Sequence, residues 1–325
     1  MTRPAQTLFN PPMTPLQPLQ HRLFSQKGVR VWVKRDDLNH PAIQGNKWHK
    51  LRGVLAQLSH QSHPALLTFG GAYSNHLAAT AAAGHFFGFP TIGLVRGDEL
   101  AQTPETWSHT LTTAQQQGMQ LQFLSRSEYR QKSDPAFLQA LLAPYRQRYP
   151  NLTVLPEGGT TRLALKGFDV PIDQLQTQCP NWTHLYTAVG TGGTLAGLTQ
   201  HAARHASPHQ PKRLIGVNTL KGGDSLRPVI QALCPYPYAA SPLAPISWRL
   251  HHGAEFRGYG RAHPELKKHQ AWLKQHFDIP LDPIYTSRTV TAFLLDLENQ
   301  RLPVGARVIL YHSGGLQGCE PDCKL

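Results

Sequence analysis

The sequence predicts an α/β protein built on parallel sheets. Strand-length apolar runs alternate with helical patterns through most of the chain. Three loops rich in Gly, Ser, Asn or Thr fall where a strand signal gives way to a helix signal. The chain has 325 residues, enough for about two domains. Its hydrophobic content of 40% is on the low side, yet sufficient for real cores.

The elements follow in order. Residues 1 to about 20 are rich in Pro and Gln and predict an extended arm. Val29–Val33 alternates as a strand does. Lys47 to about Ser59 carries a helical pattern. Ala65–Phe69 is a continuous apolar run of strand length. Leu77–Ala83 is alanine-rich and predicts a helix closed by Gly84. A strand at Pro90–Val95, a helix before Gly118 and a short strand at Leu121–Leu124 come next. Arg126–Pro150 is polar and helical, without a clear site. From Leu155 the alternation resumes through Ala188-Val189, Leu214–Val217 and Val308–Leu310. No internal repeat is visible.

Three segments carry chemistry. The first is Gln44-Gly45-Asn46-Lys47. A lysine after a tight Gly-Asn turn, at the mouth of a helix, is well held and lightly solvated. That setting suits an amine that loses its proton and joins an aldehyde as a Schiff base. The second is Gly70-Gly71-Ala72-Tyr73-Ser74-Asn75-His76, at a strand-to-helix junction. Free backbone N–H groups at a helix start attract an anion such as a carboxylate; taken alone, Ser74 or Asn75 reads more simply as a helix cap. The third is Val189-Gly190-Thr191-Gly192-Gly193-Thr194-Leu195. Small residues let a backbone approach phosphate oxygens, and N–H groups and hydroxyls bind them. The dinucleotide fingerprint fails here because Leu195 stands where its third glycine belongs. The P-loop pattern fails for want of Gly-Lys-Ser/Thr. A small phosphorylated cofactor is the expectation.

Together these segments resemble the pyridoxal-phosphate enzymes of the tryptophan synthase β type. The resemblance is strongest to the branch of 1-aminocyclopropane-1-carboxylate deaminase and D-cysteine desulfhydrase. That branch carries Lys-Arg-Asp-Asp, Gly-Asn-Lys, Ser-Asn-His and a Thr-Gly-rich loop. This chain has Lys34-Arg35-Asp36-Asp37 and the three segments above. It also has Leu155-Pro156-Glu157-Gly158-Gly159-Thr160, Arg257-Gly258-Tyr259-Gly260, Leu281-Asp282-Pro283-Ile284-Tyr285-Thr286 and Tyr311-His312-Ser313-Gly314-Gly315. The likeness runs from about residue 15 to about 318.

The resemblance implies two doubly wound α/β domains with pyridoxal 5'-phosphate in the cleft between them. A small domain at 51–156 would be inserted into a larger one made of 1–50 and 157–325. Lys47 would hold the cofactor and later move the substrate's α-proton. Ser74, Asn75 and His76 would face the substrate carboxylate and the cofactor ring. Gly190, Thr191, Gly192, Gly193 and Thr194 would bind the phosphate. Tyr259 and Tyr285 would serve as acid, base or nucleophile, and Ser313 would meet the pyridine nitrogen. A homodimer is implied as well.

One position bears on the substrate. Aminocyclopropane deaminases follow the Tyr285 position with glutamate, and a carboxylate beside the pyridine nitrogen keeps it protonated and strongly electron-withdrawing. Here Thr286 follows, and Ser313 supplies a neutral hydroxyl. That favours β-elimination of a good leaving group, as in a D-cysteine desulfhydrase, which gives sulfide, ammonia and pyruvate. Aminocyclopropane deamination to 2-oxobutyrate is the alternative. A pyridoxal-phosphate carrier or sensor with little turnover is a reading of another class. The chain departs from the family at Gln44, at Trp48-His49 after the lysine, and at Ser287-Arg288 after Thr286.

The formal net charge of +13 invites a nucleic-acid reading. The basic residues are dispersed, and no zinc-finger spacing, RNA-binding signature or basic helix appears, so no nucleic-acid partner is expected. Four cysteines are too few and scattered for a disulfide scaffold, and no pair has C-x-x-C spacing. No metal site is expected. No apolar run approaches the roughly 20 residues of a membrane helix, and the first residues lack a signal peptide's apolar core. A cytoplasmic enzyme acting on a small amino acid is expected.

Overall fold

The computed structural model describes residues 12–220, 222–238, 244–256, 258 and 263–316. Among them, ten strands form two sheets. The larger sheet runs β1-β2-β10-β7-β8-β9, from Leu16–Leu19 (β1), Arg30–Lys34 (β2), Arg307–Tyr311 (β10), His184–Val189 (β7), Lys212–Asn218 (β8) and Ile246–His251 (β9). All its neighbours pair parallel except β1 with β2. The smaller sheet is wholly parallel and runs β5-β4-β3-β6, from Gln120–Leu124 (β5), Thr91–Arg96 (β4), Ala65–Gly70 (β3) and Leu152–Leu155 (β6). The mixed α/β architecture with parallel sheets read from the alternation of elements is the one observed.

Parallel strands covered by helices on both faces are buried on both faces and read as continuous apolar runs. Every residue of β3 is buried. The period of two then divides the core. Along β10, Val308 and Leu310 join the cluster of Val31, Val33 and Phe293, while Ile309 and Tyr311 join that of Leu185, Leu195 and Trp248. The smaller sheet does the same, with Leu66 packed on Trp48 and Leu51, and Leu67 and Phe69 on Tyr129 and Leu142.

Five helices matter for the site: α1 (Asn46–Leu58), α2 (Asn75–Phe87), α3 (Gly193–Ala202), α4 (Leu226–Leu233) and α5 (Thr286–Glu298). The alanine-rich helix does not stop at Gly84. It continues to Phe87 and ends at Gly88, which takes the left-handed conformation at φ 75°. Gly84 is a packing glycine instead, because a Cβ there would lie 2.4 Å from Thr91 Cγ2. Helix α1 spans the 50/51 boundary of the expected domain division.

Trp48 is 1% exposed and packs with Ile43, Leu51 and Val54, its ring stacked on His40 at 4.7 Å. It fills the core and does not line the site. Arg288 is fully buried and donates to the carbonyls of Pro283 at 3.0 Å, Ile284 at 2.6 Å and Gly258 at 3.0 Å. It ties the chain just before Tyr259 to the loop that carries Tyr285.

Candidate active site

The turn before α1 is built by the acidic pair that precedes it. Asp36 and Asp37 are buried. Asp37 takes a bidentate hold on Arg35, at 2.8 to 3.2 Å. The Asp36 carboxylate accepts from Thr14 Oγ1 at 2.6 Å, Tyr311 Oη at 2.6 Å and His49 Nε2 at 2.8 Å. Its backbone carbonyl accepts from Gly45 N at 3.1 Å. Asn39 closes the turn from the side, accepting from Gly45 N at 2.8 Å and donating to Gly45 O at 3.0 Å. Gly45 sits at φ 61°, ψ −135°, and a Cβ there would stand 1.9 Å from the Ser313 carbonyl oxygen. Only glycine lets the Ser313-Gly314 strand end pass so close. The turn therefore fixes Lys47 and Ser313 relative to each other.

Lys47 opens into a cavity of about 750 Å³ that also takes in Ser74, Asn75, His76, Tyr285 and Ser313. Among the described residues its Nζ makes no hydrogen bond and no ion pair. Burial lowers its pKa to about 8, against the opposing pull of the Asp282 carboxylate. A lysine held so is readily deprotonated and nucleophilic.

Ser74 caps α2, its Oγ accepting from Leu77 N at 3.3 Å. The capping reading is thus observed, and it does not displace the anion-binding one: Asn75 and His76 follow at the free N-terminal turn, and all three residues line the cavity. His76 is 1% exposed, and among the described residues neither ring nitrogen has a partner. Burial first, then the charges of Lys47 and Lys50, hold its pKa well below the ordinary histidine range, so the ring is neutral. Two unsatisfied ring nitrogens in a buried cavity wall are costly unless a ligand meets them.

The glycine-rich loop follows β7 and opens α3. Gly190, Thr191, Gly192 and Thr194 line the cavity; Gly193 begins the helix behind them. Gly192 takes φ 82° and precedes the free N–H groups of α3. Thr194 Oγ1 accepts from Asn46 Nδ2 at 2.8 Å, which leaves its own proton to donate. Thr191 Oγ1 and Thr160 Oγ1 lie 2.7 Å apart. This is a cradle of N–H and O–H donors at a helix start, the chemistry that phosphate oxygens require.

Tyr285 precedes α5, and its ring lies beside the loop: a Cβ on Gly190 would stand 3.5 Å from Tyr285 Cε1. Asp282 sets that corner. Its carboxylate accepts from the backbone N–H groups of Ile284, Tyr285 and Thr286 at 2.7 to 3.0 Å, and from Thr286 Oγ1 at 2.7 Å. Thr286 is buried in this cap and does not line the cavity. Ser313 lies two residues past the end of β10, in the cavity wall. Tyr259 falls outside the described residues.

Three cations in the cavity escaped the sequence reading. Lys50, one turn after Lys47, is 3% exposed and donates from Nζ to Gly158 O at 2.8 Å and Thr160 Oγ1 at 3.1 Å, beside the cradle. Burial and the Lys47 charge pull its pKa well below the ordinary value. The i, i+3 spacing from Lys47 is the signal that could have revealed it. Arg96 and Lys132 also line the cavity, and Lys132 belongs to the polar segment in which no site was expected. Among the described residues, no group of three or more His, Cys, Asp or Glu could hold a metal ion, and no helix is long and apolar enough to cross a membrane.

Known proteins resemble the chain over nearly its whole length. The chain is 27% identical over 322 residues to the D-cysteine desulfhydrase of Yersinia pestis (strain Pestoides F), with 93% of this chain and 91% of that one covered. It is 27% identical over 317 residues to a putative 1-aminocyclopropane-1-carboxylate deaminase of Thermotoga maritima, with 94% of each covered. Among solved structures it is similar to an ACC deaminase homologue, with a TM-score of 0.74, 24% identity and coverage of 98% and 96% of the two chains. A lysine unpaired among the described residues, in one cavity with a cradle of N–H and O–H donors at the carboxyl ends of parallel strands, suits pyridoxal phosphate. The model of the pyridoxal-phosphate dependent enzyme family matches residues 9–314, and the chain belongs to that family.

Proposed function

We propose that this protein is a pyridoxal-phosphate-dependent lyase or deaminase of small amino acids, acting as a D-cysteine desulfhydrase-like β-eliminase. The observation that carries this reading is the Lys47 amine, unpaired among the described residues and with its pKa lowered to about 8, in one cavity with the cradle and the start of α2. When bound, the cofactor supplies an electron sink for the substrate's α-carbon.

The chain's own residues do the rest. The N–H groups and hydroxyls of Gly190–Thr194 hold the phosphate, and Lys50 supplies its counter-charge. The start of α2, with Ser74 and Asn75, binds the substrate carboxylate, and neutral His76 meets the cofactor or substrate without adding charge. Lys47 takes the proton from the α-carbon. Tyr285, which lines the cavity, hands a proton to the departing group. Tyr259 remains the second tyrosine of the proposal, on the resemblance alone.

Ser313 favours elimination over ring opening. Position 286, where aminocyclopropane deaminases carry glutamate, holds a threonine committed to Asp282. A neutral hydroxyl at Ser313 leaves the pyridine nitrogen less basic, which suffices when a good leaving group departs. Aminocyclopropane deamination is the second reading, supported by the relative of that name. The test is product analysis: pyruvate and sulfide from D-cysteine are expected, and 2-oxobutyrate from aminocyclopropane carboxylate, without pyruvate from D-cysteine, overturns the first reading for the second. By the same resemblance we take residues 51–156 as the inserted lobe and the working form as a cytoplasmic homodimer, which sedimentation of the purified protein tests.

A further inference from the structure

The cavity holds more positive charge than the cofactor uses. Its described lining carries Lys47, Lys50, Arg96 and Lys132 against the single carboxylate of Glu157. Lys47 and Lys50 belong to the cofactor. Arg96 and Lys132 remain.

Arg96 is the last residue of β4, at a strand's carboxyl end, where open α/β sheets bind ligands. A Cβ built on Gly71 would lie 3.7 Å from Arg96 Nη2. Gly71 O in turn accepts from Ser74 N at 3.0 Å. The guanidinium therefore stands one turn away from the residue that caps α2. Gly71 has no side chain to cover it, so the fork faces the cavity.

Both cations are organised around one buried ring. Lys132 Nζ lies 4.3 Å from the Tyr129 centroid and Arg96 Cζ 6.0 Å from it. Lys132 pairs with Glu157 at 3.3 Å. Arg96 has no ion pair among the described residues, although Glu99 is only three positions on; that carboxylate pairs with Arg126 at 2.9 Å. An exposed arginine at a strand end is ordinarily a solvated surface group. This one has no acidic partner among the described residues, sits over a glycine turn, and lines the cavity that holds Lys47.

We infer that Arg96, backed by Lys132, forms a subsite for a second anionic group on the substrate's side chain. The preferred amino acid then carries a carboxylate, sulfonate or phosphate beyond its α-carboxylate. This rests on the reading that the α-carboxylate binds at the start of α2, from which a short side chain reaches the guanidinium. Arginine's planar fork matches such oxyanions in bidentate fashion.

The test separates binding from turnover. The holoenzyme is titrated calorimetrically with succinate and with butyrate, inert acids that differ in the second charge. Succinate is expected to bind at least about tenfold more tightly, with a preference that shrinks as salt rises. Arg96→Gln should reduce the preference to within about twofold, and Arg96→Glu should reverse it. Because Arg96 is exposed, neither change threatens the core. Equal binding of the two acids, or a preference that survives Arg96→Gln, overturns the subsite.

Turnover is read with O-phosphoserine and β-chloroalanine of both hands. O-Phosphoserine and water give pyruvate, ammonium and phosphate: Lys47 takes the α-proton, the Cβ–O bond breaks with its electron pair on the phosphate oxygen, and water releases the ammonia. The ratio of kcat/KM for O-phosphoserine over β-chloroalanine is expected to fall about tenfold in Arg96→Gln, and an unchanged ratio counts against the subsite. A succinate preference without pyruvate from either compound supports the subsite and refutes the β-elimination reading. Pyruvate from β-chloroalanine without a succinate preference refutes the subsite and supports β-elimination.

Discussion

Lys47 and Lys50 stand one turn apart on α1 and both line the same cavity, yet among the described residues only Lys50 has hydrogen-bond acceptors, at Gly158 O and Thr160 Oγ1. The helix thus offers one amine that is free to react and one that is held beside the phosphate cradle. Their proximity lowers the pKa of Lys50 further. An arriving phosphate opposes that shift by giving the second ammonium an anionic neighbour.

Lys50→Met should weaken cofactor binding about 10- to 100-fold, the usual range for losing charge-assisted hydrogen bonds worth roughly 1.5–3 kcal/mol. Equilibrium dialysis against pyridoxal phosphate measures it. The Lys47 adduct should still form at saturating cofactor. Lys47→Ala should instead abolish the borohydride-reducible adduct, and a pyridoxyl group mapped to another lysine overturns the assignment.

Lys47 should also set a pH dependence. Its folded pKa of about 8 lies below the ordinary lysine value of 10.5. Below pH 8 the folded apoprotein holds a poorly solvated ammonium, and the cost is fully present. As pH rises from 8 towards 10.5, the folded state sheds its proton before the unfolded chain does, and the cost is relieved. A shift of this size corresponds to roughly 3 kcal/mol. Denaturant midpoints of apoprotein and of Lys47→Met should therefore converge across that window, with Lys47→Met the more stable at pH 7. A constant difference across the window would refute the assignment. Cofactor uptake by the apoprotein should accelerate as pH rises through about 8 and level off above it, because the neutral amine is the nucleophile.

Asp36 works in the opposite sense. Burial pushes its pKa up, but hydrogen bonding and charge from His49, together with the Lys34 charge and the Thr14 hydroxyl, hold it below the ordinary value of 3.8. Its contribution is present above that value and is lost as pH falls through the lower folded pKa. Asp36→Asn leaves His49 Nε2 and Tyr311 Oη facing an amide that cannot satisfy them equally, and about 3–5 kcal/mol of stability should go. Thermal melts at pH 7 check this. The turn that aims Lys47 should loosen with it, so cofactor uptake slows even where the fold survives.

Local rules made much of this legible. Lys47 was readable because a Gly-Asn turn precedes a helix, and the cradle because small residues follow a buried strand. Gly84 misled because its reason is Thr91, on the next strand, rather than a helix end. Trp48, a departure from the family beside the lysine, leaves the cavity unchanged because adjacent positions on a helix face different ways: Lys47 meets the cavity and Trp48 the core of the smaller sheet. Arg96 and Lys132 lie 36 residues apart in sequence, and only the Tyr129 ring and the cavity bring them together. No spacing rule could link them. Asp282 was within reach of such a rule, because an aspartate that accepts from the N–H two residues on, here Ile284, is an ordinary turn former.

Ser313→Asp tests whether the site is tuned for elimination. Ser313 lies in the cavity wall, and its carbonyl is already taken by Asn46 N at 3.1 Å, so the backbone there is fixed and only the side chain changes. A carboxylate at this position would raise the basicity of the pyridine nitrogen and strengthen the electron sink. Excess carbanion stabilisation favours return of the α-proton, so racemisation or exchange of the α-hydrogen in deuterium oxide should rise relative to pyruvate release, by about tenfold. Ser313→Ala should leave the partition near that of the parent while weakening cofactor binding only about twofold to tenfold, since one neutral hydrogen bond contributes about 0.5–1.5 kcal/mol. The two variants act on the same atom position, and their divergence separates electronic tuning from simple loss of a contact. If the aspartate variant exchanges its α-hydrogen no faster relative to pyruvate than the parent does, the hydroxyl at Ser313 is not what makes this cavity an eliminating one.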